Sequence, residues 1–159
     1  MKEYTTAKMD KRTKIFTVII LLFLLLLPLF PYLLKPRNNI ISVLSLVIIL
    51  IVVISSYSLI PKKIIINDSI IFIKNSFGKI SIPLHKINSM KRLEKKNLNF
   101  RTFGVGGLFG YFGYFNGREV WSVTNVEKKV KIKLESGKVY VLSPENPEEF
   151  ISDIQTRLQ

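Results

Sequence analysis

Residues 15–34 read IFTVIILLFLLLLPLFPYLL, residues 35–39 read KPRNN, and residues 40–60 read IISVLSLVIILIVVISSYSLI. The outer blocks, Ile15–Leu34 and Ile40–Ile60, hold 20 and 21 residues without a single charge. As helices rising 1.5 Å per residue, each would span about 30 Å, the hydrocarbon thickness of a bilayer. The second block is rich in β-branched residues, which favour strands in water. In lipid the backbone must satisfy its own hydrogen bonds, so a helix is expected nonetheless. A soluble domain this small could not surround two helices that are apolar on every face. The first block is also too long for the core of a cleaved leader, no A-x-A site follows it, and the second block comes at once. The sequence therefore predicts two transmembrane helices, over 15–34 and 40–60.

The five-residue connector Lys35-Pro36-Arg37-Asn38-Asn39 cannot recross a bilayer, so the spans form a tight antiparallel hairpin. Five basic residues (Lys2, Lys8, Lys11, Arg12, Lys14) lie in the segment 1–14, two lie in the connector, and Lys62-Lys63 follow the second span. The positive-inside rule puts both termini in the cytoplasm and the connector outside, in a multi-pass protein of the cell membrane. Pro28 and Pro31 predict a kink or an early end to the first helix. Ser42, Ser45, Ser55, Ser56 and Ser58 allow close helix approach. No ionisable residue lies at mid-depth, where a carrier or pore site would need one.

The whole chain has 159 residues, 24 Lys+Arg against 11 Asp+Glu, a net charge of +13, one His, no Cys, and 48% hydrophobic residues. Lacking Cys, it has no disulfide framework and no thiolate metal or redox site. A lone His85 does not complete a usual metal centre, and no cofactor is expected. No G-x-S-x-G elbow is present. Net basicity would suggest nucleic acid in a soluble protein. A tethered domain instead has the anionic inner leaflet beside it, where each suitably placed Lys contributes roughly 1 kcal/mol. No nucleic-acid partner is expected.

Residues 61–159 carry 17 basic and 9 acidic side chains, and their periodicity is that of strands. Lys63–Ile66 and Ser69–Lys74 flank Asn67-Asp68, a hairpin signal. Ile80–Leu84 follows the turn Phe77-Gly78-Lys79, and Ile87–Lys96 is a more charged strand candidate. Glu119–Thr124, Val130–Leu134 and Lys138–Leu142 complete the set, the last two joined by Glu135-Ser136-Gly137. The period then changes. Asn146 is placed to cap a helix, Pro147 suits its first position and Glu149 sits three after the cap; Phe150, Ile151, Ile154 and Leu158 share one stripe. Six or seven antiparallel strands and a terminal helix are expected, making the chain an α+β membrane protein.

This order resembles the pleckstrin-homology (PH) architecture, a curved sheet closed by a C-terminal helix. Arg101-Thr102-Phe103-Gly104-Val105-Gly106 with Gly110 and Gly113 resembles the Gly-rich segment of bacterial PH-like domains, as does the run from Tyr140 through Ser143-Pro144-Glu145-Asn146-Pro147-Glu148-Glu149-Phe150. The resemblance covers about 64–158. It implies a mostly antiparallel β domain, often preceded by a pair of spans, with no established enzymatic activity. Phosphoinositide-binding members grip phosphates with basic residues around the first hairpin loop. Here that loop is Asn67-Asp68-Ser69, short and acidic, so specific phosphoinositide binding is not expected.

Between Phe100 and Phe115, five glycines alternate with seven aromatics. Phe109 stands where a dinucleotide fingerprint would need its third Gly, and no Gly-Lys-Ser/Thr closes a phosphate loop. Two readings remain: bulged strands in which Gly makes room for rings, or a loop that dips aromatics into the headgroup region or holds a partner. The candidate contact residues are Phe103, Gly104, Gly106, Gly107, Phe109, Tyr111, Phe112 and Tyr114, with the basic cluster Lys91, Arg92, Lys95 and Lys96. A second basic group, Lys128-Lys129-Lys131-Lys133, reads as a solvated strand face. The expected function is a non-catalytic, membrane-anchored interaction module whose partners are the bilayer and a protein or a second copy. A gated transport or pore subunit is the alternative.

Overall fold

The computed structural model describes residues 1–34, 39–94 and 100–158. The apolar blocks form three helices. In α1 (Lys11–Leu26) the Asp10 carboxylate caps the first turn, accepting from the Thr13 backbone N–H at 2.9 Å. Helix α1 stops before Pro28, which has no N–H to continue the ladder, and α2 (Leu29–Leu34) resumes after it. The expected single span over 15–34 is thus two pieces of 16 and 6 residues. The second block is the continuous helix α3 (Asn39–Ser58). Its residues Ile40–Ser58 form the one helix, among the described residues, that is long and apolar enough to cross a membrane, and they are almost wholly exposed. The connector 35–38 lies outside the described residues.

The segment 1–14 is more than a basic flank. Lys2–Thr5 form strand β1, which pairs antiparallel with β2 (Lys63–Ile66), Tyr4 opposite Ile64. β3 (Ile70–Lys74) and β4 (Lys79–Pro83) complete a meander in the order β1-β2-β3-β4. A 3₁₀ turn at Leu84–Lys86 then leads into the second sheet. Its strands are β5 (Ile87–Arg92), β6 (Arg101–Gly106), β7 (Tyr111–Phe115), β8 (Glu119–Val123), β9 (Val130–Leu134) and β10 (Val139–Leu142), in the order β5-β9-β10-β8-β7-β6. All neighbours are antiparallel except β8 and β10. The final helix α4 (Pro147–Leu158) carries Glu148 and Glu149 in its first turn, where the helix dipole favours them.

One core joins the first sheet, β9, β10 and α4 through Ile64, Ile71, Ile132, Leu142, Phe150 and Ile154, all fully buried. Tyr4 enters this core edge-on to Phe150 at 5.3 Å, and its hydroxyl donates to Asp153 at 3.0 Å. A second cluster lies on the opposite face of the second sheet, where Val141, between Tyr140 and Leu142 of the first cluster, joins Phe115 and Trp121, whose rings stack at 4.8 Å. Inward-facing side chains on alternate positions account for this division, as in β9, where Val130, Ile132 and Leu134 are buried while Lys131 and Lys133 are not.

The helices enter at one end of both sheets. Thr5 pairs with Lys63 at that end, Lys74 accepts from the Lys62 N–H at 2.7 Å, and Ser58 accepts from the Ser76 N–H at 3.1 Å. In the second sheet the same end holds Ser143, which exchanges bonds with Ala7 and Thr124 just before α1. The β9–β10 turn at Ser136-Gly137 and the start of β8 at Glu119 therefore lie at the far end, away from the helices.

Candidate functional site

The Gly-rich segment is a β-hairpin, β6–β7, with a register shift between Arg101 and Phe103. Gly104 and Gly113 are directly paired and both have positive φ, +122° and +115°. A Cβ on Gly104 would lie 2.2 Å from the Phe112 carbonyl oxygen, and one on Gly113 would lie 2.5 Å from that of Phe103. Only glycine permits this contact of backbone on backbone. The bend carries the tip, residues 107–110, onto the helices.

At the tip, Thr17 of α1 is the contact point. Its hydroxyl, which can donate to the Thr13 carbonyl at 2.8 Å or the Gly107 carbonyl at 3.1 Å, accepts from the Phe109 N–H at 2.9 Å. Gly107 lies so close to α1 that a Cβ would meet Ile20 Cδ1 at 3.3 Å. Phe109 packs edge-on against Tyr57 of α3 at 5.5 Å. Leu108 and Phe112 are buried. Below the tip, Asp10 accepts from the Val126 N–H at 2.9 Å as well as from Thr13, so the helix cap is also a domain contact. Burial alone would raise the Asp10 carboxyl, but hydrogen bonds from Thr13, Val126 and Arg12 hold it below the usual aspartate value. Burial, with the Asp10 charge nearby, pushes the Tyr111 phenol up.

The candidate residues therefore fall into separate groups. Gly107, Phe109, Tyr111 and Phe112 belong to the packing of the tip against the chain's own helices, and Phe112 is only 3% exposed, so it offers no free surface. Gly104 and Gly106 shape the hairpin. Phe103, 75% exposed, and Tyr114, 47% exposed, sit at the far end and line a groove of about 860 Å³ with Asn116, Arg118, Glu119 and Lys138. Glu119 anchors the groove floor. Burial would raise its carboxyl, but Lys131 at 2.5 Å, the Trp121 indole N–H at 3.0 Å and Asn116 at 2.9 Å hold it below the usual glutamate value.

Of the basic cluster, Lys91 is exposed on β5, Arg92 is ion-paired with Glu148 of α4, and Lys95 and Lys96 lie outside the described residues. The second group departs from a simple solvated face. Lys128 pairs with Glu145, and Lys129 is fully buried with its Nζ over the Trp121 ring at 5.4 Å and without a hydrogen-bond partner among the described residues. Burial pushes the Lys129 amine below the usual lysine value, against the pull of Glu119. His85 is exposed on the 3₁₀ turn. The β2–β3 turn at Asn67-Asp68-Ser69 lies at the far end of its sheet, with Asp68 paired to Arg157 at 3.2 Å.

Sequence reasoning did not single out Thr17 or Asp10, and it placed Lys129, which is fully buried, on a solvated face. Thr17 was visible only as a lone hydroxyl in an apolar run.

Residues 62–158 match the family described as Bacterial PH domain. No curated protein and no solved structure matches the chain.

Proposed function

The chain belongs to the bacterial PH domain family, and we propose that it is a non-catalytic interaction module, anchored by both apolar blocks and holding its β domain against the cytoplasmic face of the cell membrane. The observation that carries this reading is the pairing of β1, which precedes the first block, with β2, which follows the second. The two flanks of the helical pair share one sheet, so they lie on one side of any membrane the pair enters. The uncharged surfaces of α1 and α3 are exposed and need a non-aqueous solvent. α1 and α2 together complete the first crossing, with the break at Pro28 toward its outer half.

The anchor fixes which end of the domain is free. The far end carries Phe103, Tyr114 and the groove beside them, and it is offered to a protein partner or to a second copy. Confinement to the membrane raises the effective concentration, so weak contacts there suffice. The acidic β2–β3 turn also points to this end, which disfavours it as a grip for inositol phosphates in the chain's own membrane.

A photo-crosslinking amino acid in place of Phe103, in the full chain in cell membranes, tests the reading. A discrete adduct, either a dimer or one partner of defined mass, is expected at 103 and not at Ser152 on the exposed face of α4, outside the groove. Equal diffuse labelling at both positions would overturn the assignment of the far end.

A further inference from the structure

Phe77 is 67% exposed at the tip of the β3–β4 turn, yet nothing in the fold requires an aromatic there. The turn is well fixed. The Asn75 side chain accepts from the N–H groups of Phe77 and Gly78 at 3.0 and 2.9 Å, and the Asn75 N–H donates to the Gly78 carbonyl at 3.0 Å. The neighbouring Ser76 N–H donates to the carbonyl of Ser58, the last residue of α3. The aromatic is therefore held at the level where α3 leaves its apolar run. Lys62 and Lys74, joined by a backbone bond, and Lys79, whose Nζ lies over the Phe72 ring at 5.1 Å, stand exposed on the strand ends beside this turn.

We propose that Phe77 and this collar of lysines form a lipid-contact site, the ring lying among the headgroups and the amines facing anionic phosphates. The inference rests on the anchored reading above. An aromatic ring with a polar surround is favoured at the membrane–water interface, and lysines near an anionic surface add to it. The occupant follows from continuity: the turn is bonded to the end of the helix that crosses the bilayer, so the surface beside it is the bilayer itself. The hairpin tip at 107–110, buried against α1 at Thr17 and Ile20, braces the domain on the anchor and so limits how far this turn can swing from the surface.

The chain contains no cysteine, so single labels are unambiguous. The variants Phe77→Cys, Phe103→Cys and Val47→Cys, each carrying an environment-sensitive fluorophore, would be placed as full chains in vesicles of phosphatidylcholine and phosphatidylglycerol, one preparation containing a shallow and one a deep spin-labelled lipid. Position 47, inside α3, reports the anchor. Position 103 reports the far end. The expected result is a blue-shifted probe at 77, quenched by the shallow label about threefold more than at 103, with 47 quenched by the deep label. Quenching at 47 with 77 as unquenched as 103 would overturn the contact and leave the anchor standing. No quenching at any of the three would overturn the anchored reading and this contact with it.

Discussion

Gly104 shows how one residue type sets the position of a whole hairpin. Its φ of +122° and the 2.2 Å approach that a Cβ would make to Phe112 O leave no room for any side chain. Gly104→Ala should lower stability by about 2–4 kcal/mol through backbone strain and the clash. Gly78→Ala, with ordinary φ and open space around it, should be close to neutral. Thermal melting in detergent, followed by near-UV circular dichroism, separates the two. Lys129 makes the opposite case. Its amine is buried without a hydrogen bond among the described residues and held below the usual lysine value of 10.5 by burial. The folded state therefore prefers the neutral amine, and stability rises with pH as it approaches 10.5 from below. Lys129→Met should raise stability by about 1 kcal/mol and flatten that alkaline rise. Melting curves across the alkaline range would show it, and an unchanged or steeper rise would count against it.

At the scale of elements, the strands whose pattern is local were readable and those whose pattern is borrowed were not. The alternation of Val130–Leu134, its Gly137 turn and the start of α4 at Pro147 all lie within a few residues, and each appears where the sequence places it. β1 was invisible because its four residues contain one apolar side chain. Tyr4 is buried only because Ile64 and Phe150 come to it from far along the chain. The same holds for the tip of β6–β7. The glycines marked it as unusual, but Phe16, Thr17, Ile20 and Tyr57, which receive it, are remote in sequence. If β1 closes the sheet, Tyr4→Ala should cost about 3 kcal/mol. Tyr4→Phe, which keeps the ring and loses the hydroxyl's bond to Asp153, should cost about 1 kcal/mol. In so small a domain each kcal/mol corresponds to about 4–8 °C in Tm, so the two variants are readily told apart by melting in detergent. A Tyr4→Ala variant that melts like the parent would mean that β1 is dispensable.

For the whole molecule, fold and solvent are one question. The described surface has an apolar half on α1 and α3 and a charged half on the β domain, and the first-to-second strand pairing ties the two flanks of the apolar half together. Membrane-impermeant maleimide labelling of single cysteines in intact cells tests this arrangement most directly, because the parent chain offers no thiol of its own. Arg37→Cys, between the two apolar blocks, should react from outside, while Glu135→Cys, in the β9–β10 turn, should react only after the cells are opened. Labelling of position 135 in intact cells, or protection of position 37 with the chain recovered free of membranes, would contradict the account.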